Sequence, residues 1–434
     1  MQTKTKTIKV VGQAEDGAIR QANNCLAAAE AFCLMADNHK GYGMPVGGVA
    51  VYRDKVSPAG VGFDIACGNK AVQLNIKRSD IADRLGDLAD EIYYELSFGI
   101  GLNNRETVDH ELFDSPTWEL DFYSENPSVV ERAHTQLGTI GAGNHYVDVF
   151  YDESDNVWIG VHFGSRGLGH KTATHFMGLA GDNPNIMDET PHLLGVHSEA
   201  GLAYLSAMEL AGQYAYAGRD WVCAKVAELI GADIVDEVHN HHNFAWQESH
   251  HGQEYWVVRK GATPAFPGQR GFIGGSMAEN AVIVRGVDSE ESRELYFSTV
   301  HGAGRVMSRT QAAGRTRWKT VWGCTNDGCG NYLDNYNPKR GRPNPTCSRC
   351  GSKMEKRRMK LQIKKGAVDF DAVKKLVKSK GIELRGGGAD ESPQVYKRLD
   401  EVLGFHAGTI DVLHTLTPMI VCMAGDDIVD PYKD

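Results

Sequence analysis

A chain of 434 residues, 41% hydrophobic and 24% charged, has apolar material for one large core or two ordinary ones, which excludes a disordered or fibrous protein. No stretch approaches the roughly 20 apolar residues of a membrane-spanning helix, and the opening MQTKTKTIKVVGQ lacks a secretory core, so a cytoplasmic protein without a membrane partner is expected. A net charge of −10 argues against whole-surface attraction to nucleic acid but leaves room for a local basic groove.

In chain order, residues 14–37 read as a helix, because Ala22, Leu26, Ala29, Phe32 and Cys33 recur at three- and four-residue spacing. A Gly41-Tyr42-Gly43 turn leads into an apolar run at 46–51 that suits a buried strand. Residues 70–76 and 157–163 are rich in β-branched and aromatic side chains and predict strands. A long helical pattern covers 199–230. Strands are expected again at 255–259, 281–285 and 295–300, and helices at 369–380 and 393–403. Without regular βαβ alternation the pattern predicts an α+β fold, with mixed sheets flanked by helices in one large domain. That domain is read in two parts, 1–317 and 366–434, around an insert at 318–365.

The insert is set apart by its cysteines and its charge. Of nine cysteines, Cys25, Cys33, Cys223 and Cys422 lie in apolar contexts and read as small core residues. Cys324 and Cys329 are separated by four residues, Cys347 and Cys350 by two, with seventeen between the pairs. Two such knuckles suit a closed tetrahedral site for structural zinc, a zinc ribbon whose folding is coupled to the ion. From Lys339 to Lys365 there are eleven Lys or Arg and one acid, a local +10 in a chain of −10. The tail KMEKRRMKLQIKK is either a track for an RNA backbone or a solvated linker; both remain open.

Five short motifs concentrate the chemistry: GVGFDIACG with Asp64 and Cys67, GAGNH with Asn144 and His145, HFGSRG with His162 and Arg166, HHNFA with His242 and Asn243, and HGAGRVMSR with His301, Arg305 and Arg309. Taken singly, a histidine beside glycine is more often structural than a ligand. Together the first four supply three imidazoles, a thiolate and a carboxylate, a set suited to Mn²⁺, Zn²⁺ or Co²⁺. A bridging thiolate would permit two ions, and a pair of ions neutralises charge at a phosphate undergoing in-line displacement.

In this order, with NHKGYGMPVGGV, YLSAMELAGQYA, RKGATPAFPGQRGFIGGSM and DESPQVYKRLDEV, the motifs resemble those of the RtcB RNA ligase family across nearly the whole chain outside the insert. The resemblance implies an RtcB-like domain in which Cys67 bridges two Mn²⁺ ions, with His162 and His242 on one and Asp64 and His145 on the other. It implies that His301 attacks the α-phosphate of GTP and carries GMP. Asn144, His145, Asp148, Asn243, Ser276, Ala303 and Gly304 would surround the guanylate, and Arg166, Arg305 and Arg309 would hold RNA or nucleotide phosphates. The implied reaction joins an RNA 3′-phosphate or 2′,3′-cyclic phosphate end to a 5′-hydroxyl end through a guanylylated 3′ end, in transfer-RNA splicing or RNA repair, with an archease-type activator as a further expected partner. Four departures bear on the guanylate site: Asp148 stands for a glutamate, Ala281 for a serine, Ala424 for a terminal lysine that Lys433 would have to replace, and Ala36 for a proline. The loss of the terminal lysine and of the serine motivates an alternative, a paralogue that only caps 3′-phosphate ends or opens cyclic phosphates. A metal-stabilised RNA-binding protein without catalysis is the third reading.

Overall fold

The computed structural model describes residues 6–426 apart from 184–185, 327, 335 and 337–342. Its α+β architecture is the one expected. The larger sheet runs in the order Arg270–Ile273, Ala281–Gly286, Ile410–Gly425, Tyr146–Tyr151, Asn156–Phe163, Gly68–Lys77 and Ile234–His241, with Glu383–Gly387 added in parallel to Ile410–Gly425. A second sheet runs Ile8–Val10, Ala31–His39, Val46–Tyr52, Gln253–Lys260 and Asn243–His250.

Period-two alternation explains how the large sheet is buried on both faces. Val157, Ile159, Val161 and Phe163 point to one side, where they pack with Val222, Cys223, Val226 and Ile230 of the helix Glu199–Ile230. Trp158 points to the other, against Phe150, Phe272, Val373 and Val377, the last two from the helix Phe370–Ser379. His162 shares the parity of Trp158, so its ring leaves the sheet on that second face.

The strands expected at 46–51, 70–76, 157–163, 255–259 and 281–285 and the helix at 199–230 are present. The helix expected over 14–37 is not: it ends at Leu26, and Ala31–His39 is a strand. Residues 32–38 are all buried between Ile8–Val10 and Val46–Tyr52, so the unbroken apolar run at 32–36 reflects a central strand rather than one helical face. The strand expected at 295–300 shrinks to Ser298–Val300, and the helix at 393–403 to Leu399–Gly404. Gly314–Cys324, Tyr332–Leu333 and Met354–Lys365 form a separate three-stranded sheet. Among the described residues no helix is long and apolar enough to cross a membrane.

Candidate active site and metal centre

Four neighbouring antiparallel strands of the large sheet place the site. Gly68–Lys77 starts beside Cys67, Tyr146–Tyr151 starts beside His145, Asn156–Phe163 ends just after His162, and Ile234–His241 ends beside His242. Neighbouring antiparallel strands alternate direction, so two starts and two ends fall on one rim. Register fixes the match: Asn69 lies opposite His162, Tyr146 opposite His162, and Gly68 opposite His241. The His242 backbone N–H donates to the Cys67 carbonyl at 2.8 Å. Only glycine fits at position 68, since a Cβ there would lie 2.2 Å from the Asn240 carbonyl oxygen.

The side chains converge. Cys67 Sγ is 3.2 Å from His162 Nε2 and 3.7 Å from His145 Nε2. His145 Nε2 is 3.0 Å from Asp64 Oδ2, and His162 Nε2 is 3.4 Å from His242 Nε2. Two donor groups result, Cys67/His162/His242 and Asp64/Cys67/His145, each with its ligand atoms within 4.8 Å and both sharing the thiol.

Contacts outside the cluster decide which ring nitrogens face inward. His145 Nδ1 sits 3.0 Å from the Ile140 carbonyl and His162 Nδ1 3.0 Å from the Asn144 carbonyl. A carbonyl only accepts, so each Nδ1 carries its proton and each Nε2 turns a lone pair into the cluster. A lone pair 3.0 Å from a carboxylate oxygen is repulsive unless a cation lies between them. Burial, reinforced by the charges of neighbouring imidazoles, pushes His162 down to about 3 and His242 well below the usual histidine range, keeping both neutral. Burial, then the charge of Asp64, pushes the Cys67 thiol up. A bound cation reverses that last effect and takes a thiolate. The donor set therefore fits a pair of ions.

His301 follows the short strand Ser298–Val300, its ring centroid 4.8 Å from that of His242. Its Nδ1 lies 2.6 Å from Asp37 Oδ2, and its backbone N–H donates to the same oxygen at 3.0 Å. Asp37 is fully buried. Burial favours its neutral form, yet the His301 ring and N–H hold the carboxyl below its usual range. Lys397 Nζ clamps the segment by donating to the Ala36 and Asn38 carbonyls at 2.8 and 2.9 Å. Ala36 N–H donates to buried His406 Nε2 at 3.3 Å, a bond that a proline at position 36 would forfeit. Gly304 has φ +77°, and a Cβ there would sit 2.1 Å from the Asp37 carbonyl oxygen.

A cavity of about 410 Å³ is lined by Asp64, Cys67, Asn144, Asp148, His162, His242, Asn243, Ser276, His301, Ala303, Gly304, Arg305 and Arg309. His145 and Arg166 are not on it; with Asp64 they line a second cavity of about 260 Å³. Arg166 is therefore separated from the other two arginines, with Nη1 3.3 Å from His145 Nδ1 and Nε 3.4 Å from Thr139 Oγ1. Arg305 and Arg309 reach the same Glu391 carboxylate at 3.3 and 2.9 Å. Asn243 braces the metal loop as well as facing the cavity: its Nδ2 donates to the Asp64 carbonyl at 3.1 Å, and its Oδ1 accepts from Gly261 N–H at 2.7 Å. Ser276 Oγ donates to Glu279 at 3.2 Å. Asp148 is buried with Oδ1 unpartnered among the described residues, and burial pushes its carboxyl well above the usual range. Ala281 lies in the core on the Trp158 face of the large sheet, Ala424 packs partly buried against the cluster on the other face, and its neighbour Met423 lines the cavity. Lys433 falls outside the described residues.

The four clustered cysteines come together as well, with Sγ separations of 3.4 Å for Cys324–Cys350 and 3.6 Å for Cys329–Cys347. Backbone N–H groups of Asn326 and Arg349 donate to the sulfurs of Cys324 and Cys347 at 3.4 Å, as a thiolate site requires.

Comparison with known proteins points one way. The family model described as tRNA-splicing ligase RtcB matches residues 19–123 and 117–326. The chain is 33% identical over 311 residues to RNA-splicing ligase RtcB of Escherichia coli K12, covering 64% of this chain and 74% of that one. It is 31% identical over 368 residues to tRNA-splicing ligase RtcB of Thermococcus kodakarensis (65% and 74%), and 30% identical over 393 residues to RNA-splicing ligase RtcB homolog 1 of Entamoeba dispar (72% and 73%).

The chain belongs to the RtcB family.

The matched region of this RtcB carries all five motifs and ends before Cys347 and Cys350. Two positioning residues escaped the sequence reading of it. Asp37 lies in a segment whose periodicity imitated a helix. Arg219, in the middle of Glu199–Ile230, is fully buried and donates to the carbonyls of Ala66 at 3.0 Å and Phe163 at 2.6 Å. Those carbonyls adjoin Cys67 and His162, and the only available signal was the helix's single arginine, with apolar Ala215, Val222 and Cys223 at three- and four-residue spacing from it.

Proposed function

We propose that this RtcB ligase joins RNA 3′-phosphate or 2′,3′-cyclic phosphate ends to 5′-hydroxyl ends by way of GMP carried on His301. The observation that carries the proposal is a pair of donor groups that share Cys67 with His301 beside them, all their ligands but His145 lining the larger cavity. Two divalent cations, Mn²⁺ with Zn²⁺ or Co²⁺ as alternatives, would be held by Cys67/His162/His242 and Asp64/Cys67/His145 and would supply charge neutralisation at phosphate oxygens.

The chain's own groups do the rest. Asp37 accepts the Nδ1 proton of His301, which leaves the Nε2 lone pair as nucleophile. Attack on the α-phosphorus of GTP forms an N–P bond, breaks the P–O bond to the β-phosphate and releases pyrophosphate. The RNA 3′-phosphate then displaces His301 and takes GMP. Attack by the 5′-hydroxyl on that activated phosphorus forms the phosphodiester and expels GMP. A cyclic phosphate is first opened by water in the same cavity. Arg305 and Arg309 would hold phosphates from the cavity wall, with Glu391 fixing both guanidinium groups.

Incubation with Mn²⁺ and α-labelled GTP is expected to label the protein, and His301→Ala to abolish the label. Wild-type protein that stays unlabelled overturns the scheme. Asp148, which stands where a glutamate is expected and has one oxygen unpartnered among the described residues, favours a second reading in which the reaction stops at the capped end. A capping enzyme would accumulate guanylylated RNA without sealed product. Cys324, Cys329, Cys347 and Cys350 would hold structural zinc.

A further inference from the structure

The described part of the basic segment is a β-ribbon, Gly314–Cys324 paired with Met354–Lys365 from Cys324↔Met354 to Gly314↔Lys365. The eleven residues of Gly314–Cys324 span about 35 Å. The root of the ribbon lies at the cavity: Arg309 lines it, the short helix Arg309–Ala313 follows, and the first ribbon residue is Gly314. At the far end stand the four cysteines. Arg315, Arg317, Lys356 and Arg358 are exposed along its length. Near the tip, Tyr332 and Tyr336 are 40% and 39% exposed, with Tyr336 edge-on to Trp322 at 6.0 Å between centroids.

We infer that this ribbon is an arm for single-stranded RNA, which extends the track of the substrate strand from the cavity outward; the inference rests on the ligase reading for its substrate. Three features point to it together. Positive charge is concentrated on one narrow ribbon in a chain of net −10, so the field that attracts a phosphate backbone is local to this arm. Basic side chains share the arm with exposed tyrosines, and backbone neutralisation combined with base stacking is how single strands are held without sequence preference. The arm starts five residues from a cavity arginine, so a strand leaving the cavity passes its root. The cysteine cluster holds the tip and its aromatics in one arrangement.

The test uses the full-length metal-loaded protein and a fluorescein-labelled single-stranded RNA of about 20 nucleotides, followed by anisotropy across a salt series. The combined variant R315E/R317E/K356E is expected to weaken binding at least about tenfold and to flatten the salt dependence by about two units of log–log slope, the value for three lost contacts. Y332A/Y336A should weaken binding about threefold to tenfold without changing that slope. The charge-keeping variant R315K/R317K/K356R should bind as wild type, which separates lost charge from a misfolded arm. Labelling by GTP at His301 should be unchanged throughout. Unchanged RNA affinity in the charge-reversed variant overturns the inference, as does loss of duplex binding with single-strand binding intact. Failure of the ligase reading would appear as absent labelling in wild type, which leaves the binding measurement free to decide on the arm.

Discussion

Asp37 carries more of the site than its isolated position in the sequence suggests. One of its oxygens takes both the ring Nδ1–H and the backbone N–H of His301, so it orients the imidazole and selects its tautomer. Replacing the carboxylate with an amide keeps the shape but loses the charge. Asp37→Asn is therefore expected to slow labelling from GTP by about 10²-fold while leaving the concentration dependence on GTP nearly unchanged. A variant that labels at the wild-type rate would remove Asp37 from the mechanism. The five motifs gave the donors because glycine-flanked histidines, a thiol and a carboxylate are visible as residue types. Asp37 was not visible, because its contribution depends on a strand that local spacing presented as a helix.

At the scale of elements, the helix Glu199–Ile230 is a strut for the candidate metal rim. The buried Arg219 donates to two carbonyls and also reaches His239 Nε2 at 2.8 Å, so one side chain ties the loop before Cys67 and the strands Asn156–Phe163 and Ile234–His241 to the helix. Arg219→Met keeps most of the volume but removes the guanidinium donor from both carbonyls. Metal affinity is expected to fall by about 10- to 100-fold, as for partners that orient ligands, with a lower melting temperature. Metal titration followed by calorimetry checks both, and unaltered affinity would reduce Arg219 to a core residue. Element type was legible where periodicity ran long, as over 199–230, or where β-branched runs were bounded by turns, as at 157–163. It was illegible at Ile410–Gly425, a 16-residue strand that contains Pro418 and a register shift next to it. Strand order, which creates the rim, has no local signature at all.

For the whole molecule, charge and burial give two expectations. Burial pushes both His39 and His406 down to about 4. The unfolded chain binds protons at these histidines from about pH 6.5 downward, while the folded chain holds out until about 4. Their contribution is thus complete above about pH 6.5 and is lost as the pH falls, at up to about 1.4 kcal/mol per pH unit for each. Urea midpoints should drop between about pH 7 and about pH 5; a flat profile would mean that these rings are solvated in the native state. The cysteine cluster should behave as a separate unit. Cys347→Ser is expected to lower bound metal while the melting temperature of the main sheets stays within a few degrees, read by elemental analysis and calorimetry. Loss of folding throughout would show the ribbon to be integral to the core.

The hairpin between Tyr146–Tyr151 and Asn156–Phe163 turns at the end of the sheet away from the ligands. From Asn156 to His162 is six residues, about 20 Å of strand. A fluorophore attached through a cysteine introduced at exposed Ser154 would therefore report on this enzyme from a distance at which it touches neither cation nor nucleotide. The geometry that gathers the chemistry at one edge leaves the opposite edge as a handle.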